Sequence, residues 1–297
     1  MDFLTVAQVA ERWGLSERSV RNYCAQGRVP GAVLAGKTWL VPADAEKPSR
    51  QPRTLSVSET PRLLDVLRRE KDARLSGGIY HYVQVELTYN SNHIEGSRLT
   101  HEQTRFIFET NTIGVDKAVR VDDIVETVNH FQCVNHIIDT TRRTLTQSYL
   151  KGLHRMLKTG TTDASQPWFA TGAYKRLPNE GGGQPTAEPE EVESCIRALL
   201  EAYETGGRKS FEDIVAFHVA FEKIHPFQDG NGRVGRLVMF KECLRNDVVP
   251  FIITDELKMF YYRGLHEWSR ERGYLLDTCL TAQDAFVEVQ RRFGLGL

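Results

Sequence analysis

Residues 225–236 read His-Pro-Phe-Gln-Asp-Gly-Asn-Gly-Arg-Val-Gly-Arg, and this stretch is the most informative part of the sequence about the fold. Gly230 and Gly232 flank an asparagine, so the backbone can turn tightly there and leave several N–H groups pointing into one concavity. Apolar residues then recur at three- and four-residue intervals between positions 234 and 244. The stretch therefore predicts a glycine-rich turn that leads into the N-terminus of a helix.

Such a turn is suited to binding an anion, since unpaired N–H groups and the helix dipole both favour phosphate. Arg233 and Arg236 are three residues apart and share one face of the first turn. Two guanidinium groups favour a polyphosphate over a single phosphate. Asp229 supplies a hard oxygen ligand for Mg²⁺, and His225 could take a proton from a hydroxyl near neutral pH. These residues together predict a site for phosphoryl or nucleotidyl transfer.

Every specified position of this stretch matches the Fic family signature, His-x-Phe-x-Asp/Glu-Gly-Asn-Gly-Arg-x-x-Arg, and the chain resembles that family over residues 80–280. The resemblance implies an enzyme that transfers AMP from ATP to a Tyr, Ser or Thr hydroxyl of a target protein. It implies that His225 is the general base, that Asp229 binds Mg²⁺ and that buried Phe227 holds the loop. The implied ATP-binding residues are Asp229, Gly230, Asn231, Gly232, Arg233, Val234, Gly235, Arg236, Tyr261 and Tyr262.

Two further stretches resemble parts of the Fic nucleotide and target sites. Tyr261 and Tyr262, at the start of a helix, are similar to the paired tyrosines that flank the adenine, although both are also interpretable as core aromatics. Ser269 stands where relatives often have asparagine, which leaves the adenine or ribose contact open. Residues 172–184, with three consecutive glycines, lie where the family has a β-hairpin flap that aligns the target by main-chain pairing.

Residues 91–96 read Ser-Asn-His-Ile-Glu-Gly and match the Fic inhibitory pattern, Ser/Thr-x-x-x-Glu-Gly/Asn. A carboxylate against Arg236 would form a charge-assisted pair and occupy the guanidinium that the γ-phosphate needs. Glu95 and Gly96 are also typical of an ordinary helix C-terminus, but a carboxylate there is mildly unfavourable without a cationic partner. The resemblance implies autoinhibition of the class II type, with Ser91, Glu95 and Gly96 as the inhibitory motif.

The fold class that we predict is mostly α: a Fic helical domain with a short β-hairpin flap, plus a small N-terminal domain. Beyond a first helix near residue 63, we expect helices at 80–94, 102–108, 124–138, 149–157, 192–203, 214–221, 235–244 and 257–268. The predicted divisions are an N-terminal domain (1–46), a Pro-, Ser- and Thr-rich linker (47–60), a helical part with the inhibitory helix (61–146) and the Fic core with C-terminal helices (147–297).

Residues 1–46 predict two helices and a hairpin. Gly14 breaks the first helix, Ser16 can cap the second, and residues 31–42 have the pattern of a β-hairpin. This order resembles the winged helix-turn-helix modules of the excisionase and MerR type, which bind DNA. The candidate DNA contacts are Arg18, Arg21, Asn22 and Lys37. A protein-interaction role stays open, because residues 1–41 hold five basic and three acidic residues, a net charge of 5 − 3 = +2.

Composition excludes several classes of protein. The chain has 297 residues, and 38 Lys and Arg face 39 Asp and Glu, so it does not coat nucleic acid with its whole surface. No apolar run approaches the ~18 residues of a membrane span. Five scattered cysteines without a CxxC pair argue against structural zinc and a disulfide framework. We expect a cytoplasmic protein without a membrane partner, and a homodimer because Fic proteins are often dimers.

Two alternative functions stay open at this point. In the first, the chain is a DNA-binding transcriptional regulator whose Fic domain only senses a nucleotide. In the second, the same phosphate-binding loop removes AMP from a protein, or transfers UMP or phosphocholine. Labelling of the protein by ATP and Mg²⁺ distinguishes the main interpretation from the first alternative.

Overall fold

The computed structural model describes residues 2–48, 62–114 and 118–295. Its N-terminal part has two helices, α1 (Val6–Trp13) and α2 (Glu17–Ala25), and a three-stranded antiparallel sheet. The strands are β1 (Phe3–Thr5), β2 (Val33–Ala35) and β3 (Thr38–Pro42), in the order β1-β3-β2. The predicted hairpin corresponds to β2 and β3. Strand β1 was not predicted, because a segment of three residues is too short to show a strand pattern.

Local sequence explains where the first two helices begin and end. The Thr5 hydroxyl accepts from the Gln8 N–H while the Gln8 side chain accepts from the Thr5 N–H, a reciprocal capping box. Gly14, at φ +66°, ends α1 in the left-handed region, and Ser16 caps α2 by accepting from the Ser19 N–H at 3.1 Å. The apolar faces of both helices then meet β3 in a small core of their own.

From residue 62 onward, the regular secondary structure of the described residues is helical apart from one short hairpin. The helices are α3 (Leu63–Asp72), α4 (Ile79–Ile94), α5 (His101–Thr110), α6 (Val121–Asp139), α7 (Gln147–Lys158), α8 (Val192–Glu204), α9 (Phe211–Ile224), α10 (Asn231–Arg245), α11 (Lys258–Glu267) and α12 (Gly273–Arg292). The hairpin consists of β4 (Glu180–Gly181) and β5 (Gln184–Pro185), and short 3-10 helices occur at Asp163–Ser165 and Asp255–Leu257. The hairpin lies inside the interruption predicted at 177–189.

Helix α10 is the centre of this part of the molecule. Every residue from Arg233 to Leu244 is buried, and the helix packs against α9 and also against α4, α6 and α7. A helix surrounded on all sides has no single apolar stripe. Its N-cap is Gly230, at φ +83°. The glycine-rich turn therefore lies at the N-terminus of the most buried helix of the fold.

Helix α12 corrects the sequence analysis, which ends the helical pattern at residue 268. Leu275, Cys279 and Phe286 are buried at helical spacing along α12, so the periodic signal was present. The helix packs closely on α11 at Gly264, where a Cβ would lie 2.7 Å from the Leu275 Cα. This contact connects α12 to the helix that carries the paired tyrosines.

The N-terminal part also packs on α12. The Ser19 and Thr281 hydroxyls lie 2.7 Å apart in a buried hydrogen bond. The Tyr274 ring covers Gly14 so closely that any Cβ at position 14 would overlap it. The predicted domain boundaries stay a prediction, and residues 49–60 of the predicted linker lie outside the described residues. Across the described ranges, no helix has both the length and the apolar character needed to cross a membrane.

Candidate active site

The predicted anion loop is held in place by side chains of its own. Asn231 accepts from the Phe227 N–H and donates to the Phe227 carbonyl, both at 2.8 Å, which closes the turn around Gly230. Phe227 is fully buried, as the sequence analysis implies, and stacks on the His154 ring with centroids 4.1 Å apart. The N–H groups at the start of α10 are thus fixed before any anion binds.

His225 is the residue that ends α9, in the left-handed conformation at φ +52°. Its Nδ1 lies 3.3 Å from the Glu222 backbone carbonyl, which can only accept a hydrogen bond. Nδ1 therefore carries the proton, and Nε2 keeps its lone pair. Burial lowers the pKa of His225 below its ordinary value. A neutral imidazole with a free Nε2 is the form that can accept a proton from a hydroxyl.

Asp229 and Arg233 belong to a network of charges in which the cations are buried and the Asp229 side chain is partly exposed. Asp229 Oδ2 accepts from Lys158 Nζ at 2.7 Å and from Arg233 Nη2 at 2.8 Å, and Glu126 accepts from both cations. Burial alone would raise the pKa of Asp229, but the two cationic charges hold it well below its ordinary value. Lys158 and Glu126 were missed by the sequence analysis, because nothing in their local sequence connects them to the loop.

The implied magnesium ion can be tested against this donor set. No group of three His, Cys, Asp or Glu side chains suited to a metal occurs among residues 2–48, 62–114 and 118–295. Mg²⁺ at phosphate sites commonly takes one or two carboxylates together with phosphate oxygens and water. Asp229 is an ionised carboxylate with a side chain 47% exposed, so it fits that minimal role.

Arg236 is buried and bound by the segment predicted to be inhibitory. Its Nη2 donates to Glu95 Oε1 at 2.6 Å and to the Ser91 carbonyl at 2.8 Å, and its Nε donates to Ser91 Oγ at 3.1 Å. The Glu95 carboxylate also lies against Gly232, where any Cβ would overlap Oε1. Gly96, at φ +94°, follows Glu95 in the left-handed turn that ends α4. The carboxylate thus lies beside the first turn of α10.

A cavity of about 930 Å³ opens over these residues. His225, Gly232, Arg236 and Glu95 line one part of it. Side chains of α9 and α11 line another part, and the β4–β5 hairpin contributes Glu180, Gly181 and Gly182. Its volume lies in the range of sites for cofactors and nucleotides. The predicted base, two predicted phosphate-binding residues and the predicted inhibitory carboxylate therefore share one cavity.

The paired tyrosines both line this cavity but differ in burial. Tyr261 is 1% exposed and its hydroxyl lies 2.6 Å from His218 Nε2, whereas Tyr262 is 38% exposed and donates to the Ile94 carbonyl at 3.2 Å. Tyr261 is therefore also a core residue, and a nucleotide role stays a prediction. Ser269 lies just beyond the C-terminal end of α11 and accepts from Lys223 Nζ at 2.9 Å.

Glu222 is a cavity-lining carboxyl that the sequence analysis did not single out. Its Oε1 is buried without a hydrogen-bond partner, 4.0 Å from His218 Nδ1. Burial raises the pKa of Glu222 to about 8 and lowers that of His218 to about 3, so both are neutral at pH 7. Gly235 approaches this pair closely: a Cβ there would lie 2.5 Å from the Glu222 oxygen. Val234, by contrast, is fully buried in the main hydrophobic core.

The β4–β5 hairpin lies beside His225. A Cβ on Gly181 would lie 3.2 Å from His225 Nδ1. Lys175, which is buried, donates to Asn179 Oδ1 and Thr186 Oγ1, both at 2.6 Å, and so ties the two ends of the hairpin together. The hairpin is shorter than the predicted flap segment and lies at its C-terminal end.

The four candidate DNA contacts lie on the N-terminal part. Arg18 is 3.8 Å from Glu256, and Arg21 pairs with an acidic residue of its own helix. Asn22 is half-buried and Lys37 is exposed on the hairpin. The two arginines therefore already have carboxylate partners, and DNA binding stays a prediction.

Comparisons with known proteins identify similar sequences. Residues 144–243 match the model of the Fic/DOC family, and this segment contains the loop from 225 to 236. The protein adenylyltransferase Fic of Nematostella vectensis is 26% identical over 183 residues, which are 60% of this chain and 42% of that protein. The protein adenylyltransferase fic-1 of Caenorhabditis elegans is 24% identical over 185 residues, 60% of this chain and 35% of that protein. The chain thus spans less than half the length of these relatives.

Solved structures show the same fold. A Fic domain containing signaling protein from Bacteroides thetaiotaomicron superimposes with a TM-score of 0.62 at 22% identity, covering 78% of this chain and 97% of that one. Fic-1 from C. elegans superimposes with a TM-score of 0.61 at 19% identity, covering 78% and 71%. The predicted fold class, mostly α with a Fic fold, is confirmed. Residues 144–243 are therefore similar to the Fic/DOC family, and protein adenylyltransferases are among the proteins that the chain resembles.

Proposed function

We propose that this chain is an autoinhibited protein adenylyltransferase, which transfers AMP from ATP to a Tyr, Ser or Thr hydroxyl of a target protein. The observation that carries the proposal is that a neutral His225 and two residues from the start of α10, Gly232 and Arg236, line the same cavity. A base for a hydroxyl and an anion site for a polyphosphate are the two parts that the transfer needs.

In the proposed reaction, His225 Nε2 takes the proton of the target hydroxyl as its oxygen attacks the α-phosphorus of ATP. A P–O bond forms to the target, the bond from the α-phosphorus to the bridging oxygen breaks, and pyrophosphate leaves. The N–H groups of residues 230–232 and the two arginines hold the phosphates, so in-line positioning supplies much of the catalysis. Asp229 would hold Mg²⁺, which supplies neutralisation of the polyphosphate charge when bound.

Inhibition follows from competition for one cation. Glu95 places a carboxylate on Arg236 and against Gly232, where the γ-phosphate of ATP would need the same guanidinium and the same helix N-terminus. Burial would lower the pKa of Arg236, but the Glu95 carboxylate raises it, so the guanidinium stays charged. ATP with its γ-phosphate in the productive position and Glu95 on Arg236 exclude one another.

The target segment is proposed to pair with the β4–β5 hairpin, which brings its hydroxyl next to His225. Three consecutive glycines leave this edge without side-chain pockets, so the target is selected elsewhere on its surface. DNA binding by residues 1–46, a homodimer and a cytoplasmic location stay predictions.

The test uses the Glu95→Gly variant of the full chain, incubated with Mg²⁺ and ATP labelled at either the α- or the γ-phosphate. AMP transfer predicts α-label on the protein itself and no γ-label. Glu95→Gly/His225→Ala should lose at least ~10²-fold of this labelling, the usual minimum contribution of a general base. Retention of γ-label, or labelling only by UTP or a phosphocholine donor, would assign the site to a different transfer. No label from any donor would overturn the proposal.

A further inference from the structure

Lys158 is a buried cation that the proposed reaction does not use. It is the last residue of α7 and is only 2% exposed. Its ammonium group is nevertheless within reach of three carboxylates: Asp229 Oδ2 at 2.7 Å, Asp163 Oδ2 at 3.4 Å and Glu126 Oε1 in a short hydrogen bond. A lysine this deeply buried keeps its charge only because such partners compensate it.

The Lys158 ammonium has more than one carboxylate partner. Both Asp229 and Glu126 accept a hydrogen bond from its Nζ, so its positive charge is compensated where it contacts Asp229 Oδ2.

This contact falls on the carboxylate that is expected to hold Mg²⁺. One oxygen of Asp229, Oδ2, accepts from both Lys158 and Arg233, and the Gly230 N–H donates to the same carboxylate. A divalent cation that approaches Asp229 alone must compete with these donors for the carboxylate charge and overcome the repulsion of two cations. The carboxylate is thus poorly disposed to bind a metal before a polyphosphate is present.

The network also contains the means to release Asp229. Glu126 offers its two oxygens separately, Oε1 to Lys158 and Oε2 to Arg233. If Asp229 turns towards a metal, both cations keep a carboxylate partner, so no buried charge is left unpaired. Polyphosphate oxygens at the loop would then supply the remaining ligands, as Mg²⁺ usually requires.

We propose that Lys158 is a positioning residue that competes with the divalent cation for Asp229, so that metal binds at this site only together with a polyphosphate. The proposal deepens the proposed function, on which it rests for the identity of the polyphosphate. The competition itself belongs to the protein without nucleotide and can be measured there.

The experiment titrates the full chain with Mn²⁺ and follows the free-ion signal by electron paramagnetic resonance, without nucleotide. Lys158→Met should bind Mn²⁺ about tenfold to hundredfold more tightly than the unmodified chain, the range of one charge-assisted hydrogen bond. Lys158→Met/Asp229→Asn should lose this gain. Lys158→Arg, which keeps the charge, should bind as weakly as the unmodified chain.

A matched control is Lys151→Met on the same helix. Lys151 lies over the Tyr174 ring at 3.9 Å, so its removal should leave Mn²⁺ affinity unchanged. If Lys158→Met fails to fold, as judged by its melting curve, Lys158→Gln takes its place. The proposal would be overturned if the unmodified chain bound Mn²⁺ as tightly as Lys158→Met does. It would also be overturned if the gain in Mn²⁺ affinity of Lys158→Met remained after Asp229→Asn was added. Neither outcome depends on AMP transfer, so failure of the proposed function is detected separately by labelling.

Discussion

Replacing Glu95 by glycine removes one carboxylate from Arg236 and leaves the rest of the site in place. Glu95 is the C-cap of α4, at φ −85° and ψ 5°, so the substitution puts no glycine into a helix interior. Arg236 keeps its hydrogen bonds to the Ser91 carbonyl at 2.8 Å and hydroxyl at 3.1 Å. The change therefore tests the Glu95 contact and little else.

The size of the effect follows from that contact. A hydrogen bond between charged groups contributes about 1.5–3 kcal/mol net, and the Glu95–Arg236 bond at 2.6 Å is of this kind. At about 1.36 kcal/mol per factor of ten, loss of this bond should strengthen binding of ATP in the productive position by about tenfold to 150-fold. To hold 99% of molecules closed, the inhibited state needs about 2.7 kcal/mol, half of the swing from 1:99 to 99:1, which lies inside this range.

The assay measures the initial rate of α-label incorporation for the unmodified chain and Glu95→Gly at subsaturating ATP. Glu95→Gln, which keeps a hydrogen bond but not the charge, should give an intermediate rate. Glu86→Gln is the matched control on the same helix, since Glu86 pairs with His101 at 2.6 Å. Its rate should equal that of the unmodified chain.

Equal rates for the unmodified chain and Glu95→Gly would refute the inhibitory role of Glu95 if both proteins are active. An increase of the same size in Glu86→Gln would show that loosening of α4, and not loss of the Arg236 contact, releases the enzyme. Absence of label from all variants would instead count against adenylyl transfer itself.

The labelling rate of Glu95→Gly should fall at acid pH, with a midpoint below about pH 6.5, the ordinary imidazole pKa. The reason is that burial lowers the pKa of His225 and only neutral imidazole accepts a proton. A midpoint above pH 6.5 would contradict a buried base. Gly14→Ala should increase amide hydrogen exchange in α12, because the new Cβ overlaps the Tyr274 ring, whereas Gly27→Ala, at φ +67° with open space around it, should not. Similar exchange in both variants would exclude packing against α12 as the cause. Glu222→Gln should raise the melting temperature more near pH 9 than near pH 5. Burial raises the pKa of Glu222 to about 8, so the folded state keeps a proton that the unfolded state releases above pH 4.5. The folded state of the unmodified chain therefore loses stability as the pH rises between these two values, whereas the glutamine variant does not. A gain independent of pH would mean that Glu222 is not held neutral by the fold.

Much of the glycine-rich loop was predictable, because its geometry is local. The tight turn depends on Gly230, whose left-handed φ a glycine adopts without strain. Asn231 closes the turn onto Phe227, four residues before it. The contact between Glu95 and Arg236, 141 residues apart, was indicated only by the resemblance to known Fic patterns. Local chemistry by itself marks Glu95 as a helix C-terminus.

Other parts of the molecule show where sequence reasoning stopped short. Helix α12 was missed although its buried residues recur at helical spacing, so that error came from ending the pattern too early. The burial of Tyr261 and the neutral pair of Glu222 and His218 depend on how α9, α10 and α11 pack, which helical periodicity does not reveal.

The amino-acid sequence alone determines the glycine-rich turn, the helix that follows it and the imidazole beside it, because neighbouring residues control backbone torsions and caps. Only the tertiary structure brings Lys158, 71 residues from Asp229, and Glu126, 107 residues from Arg233, into one network of charges. The physical reason is burial. Helix packing removes Lys158 and Arg233 from water, and each of these buried cations must have a partner that the fold supplies from elsewhere in the chain.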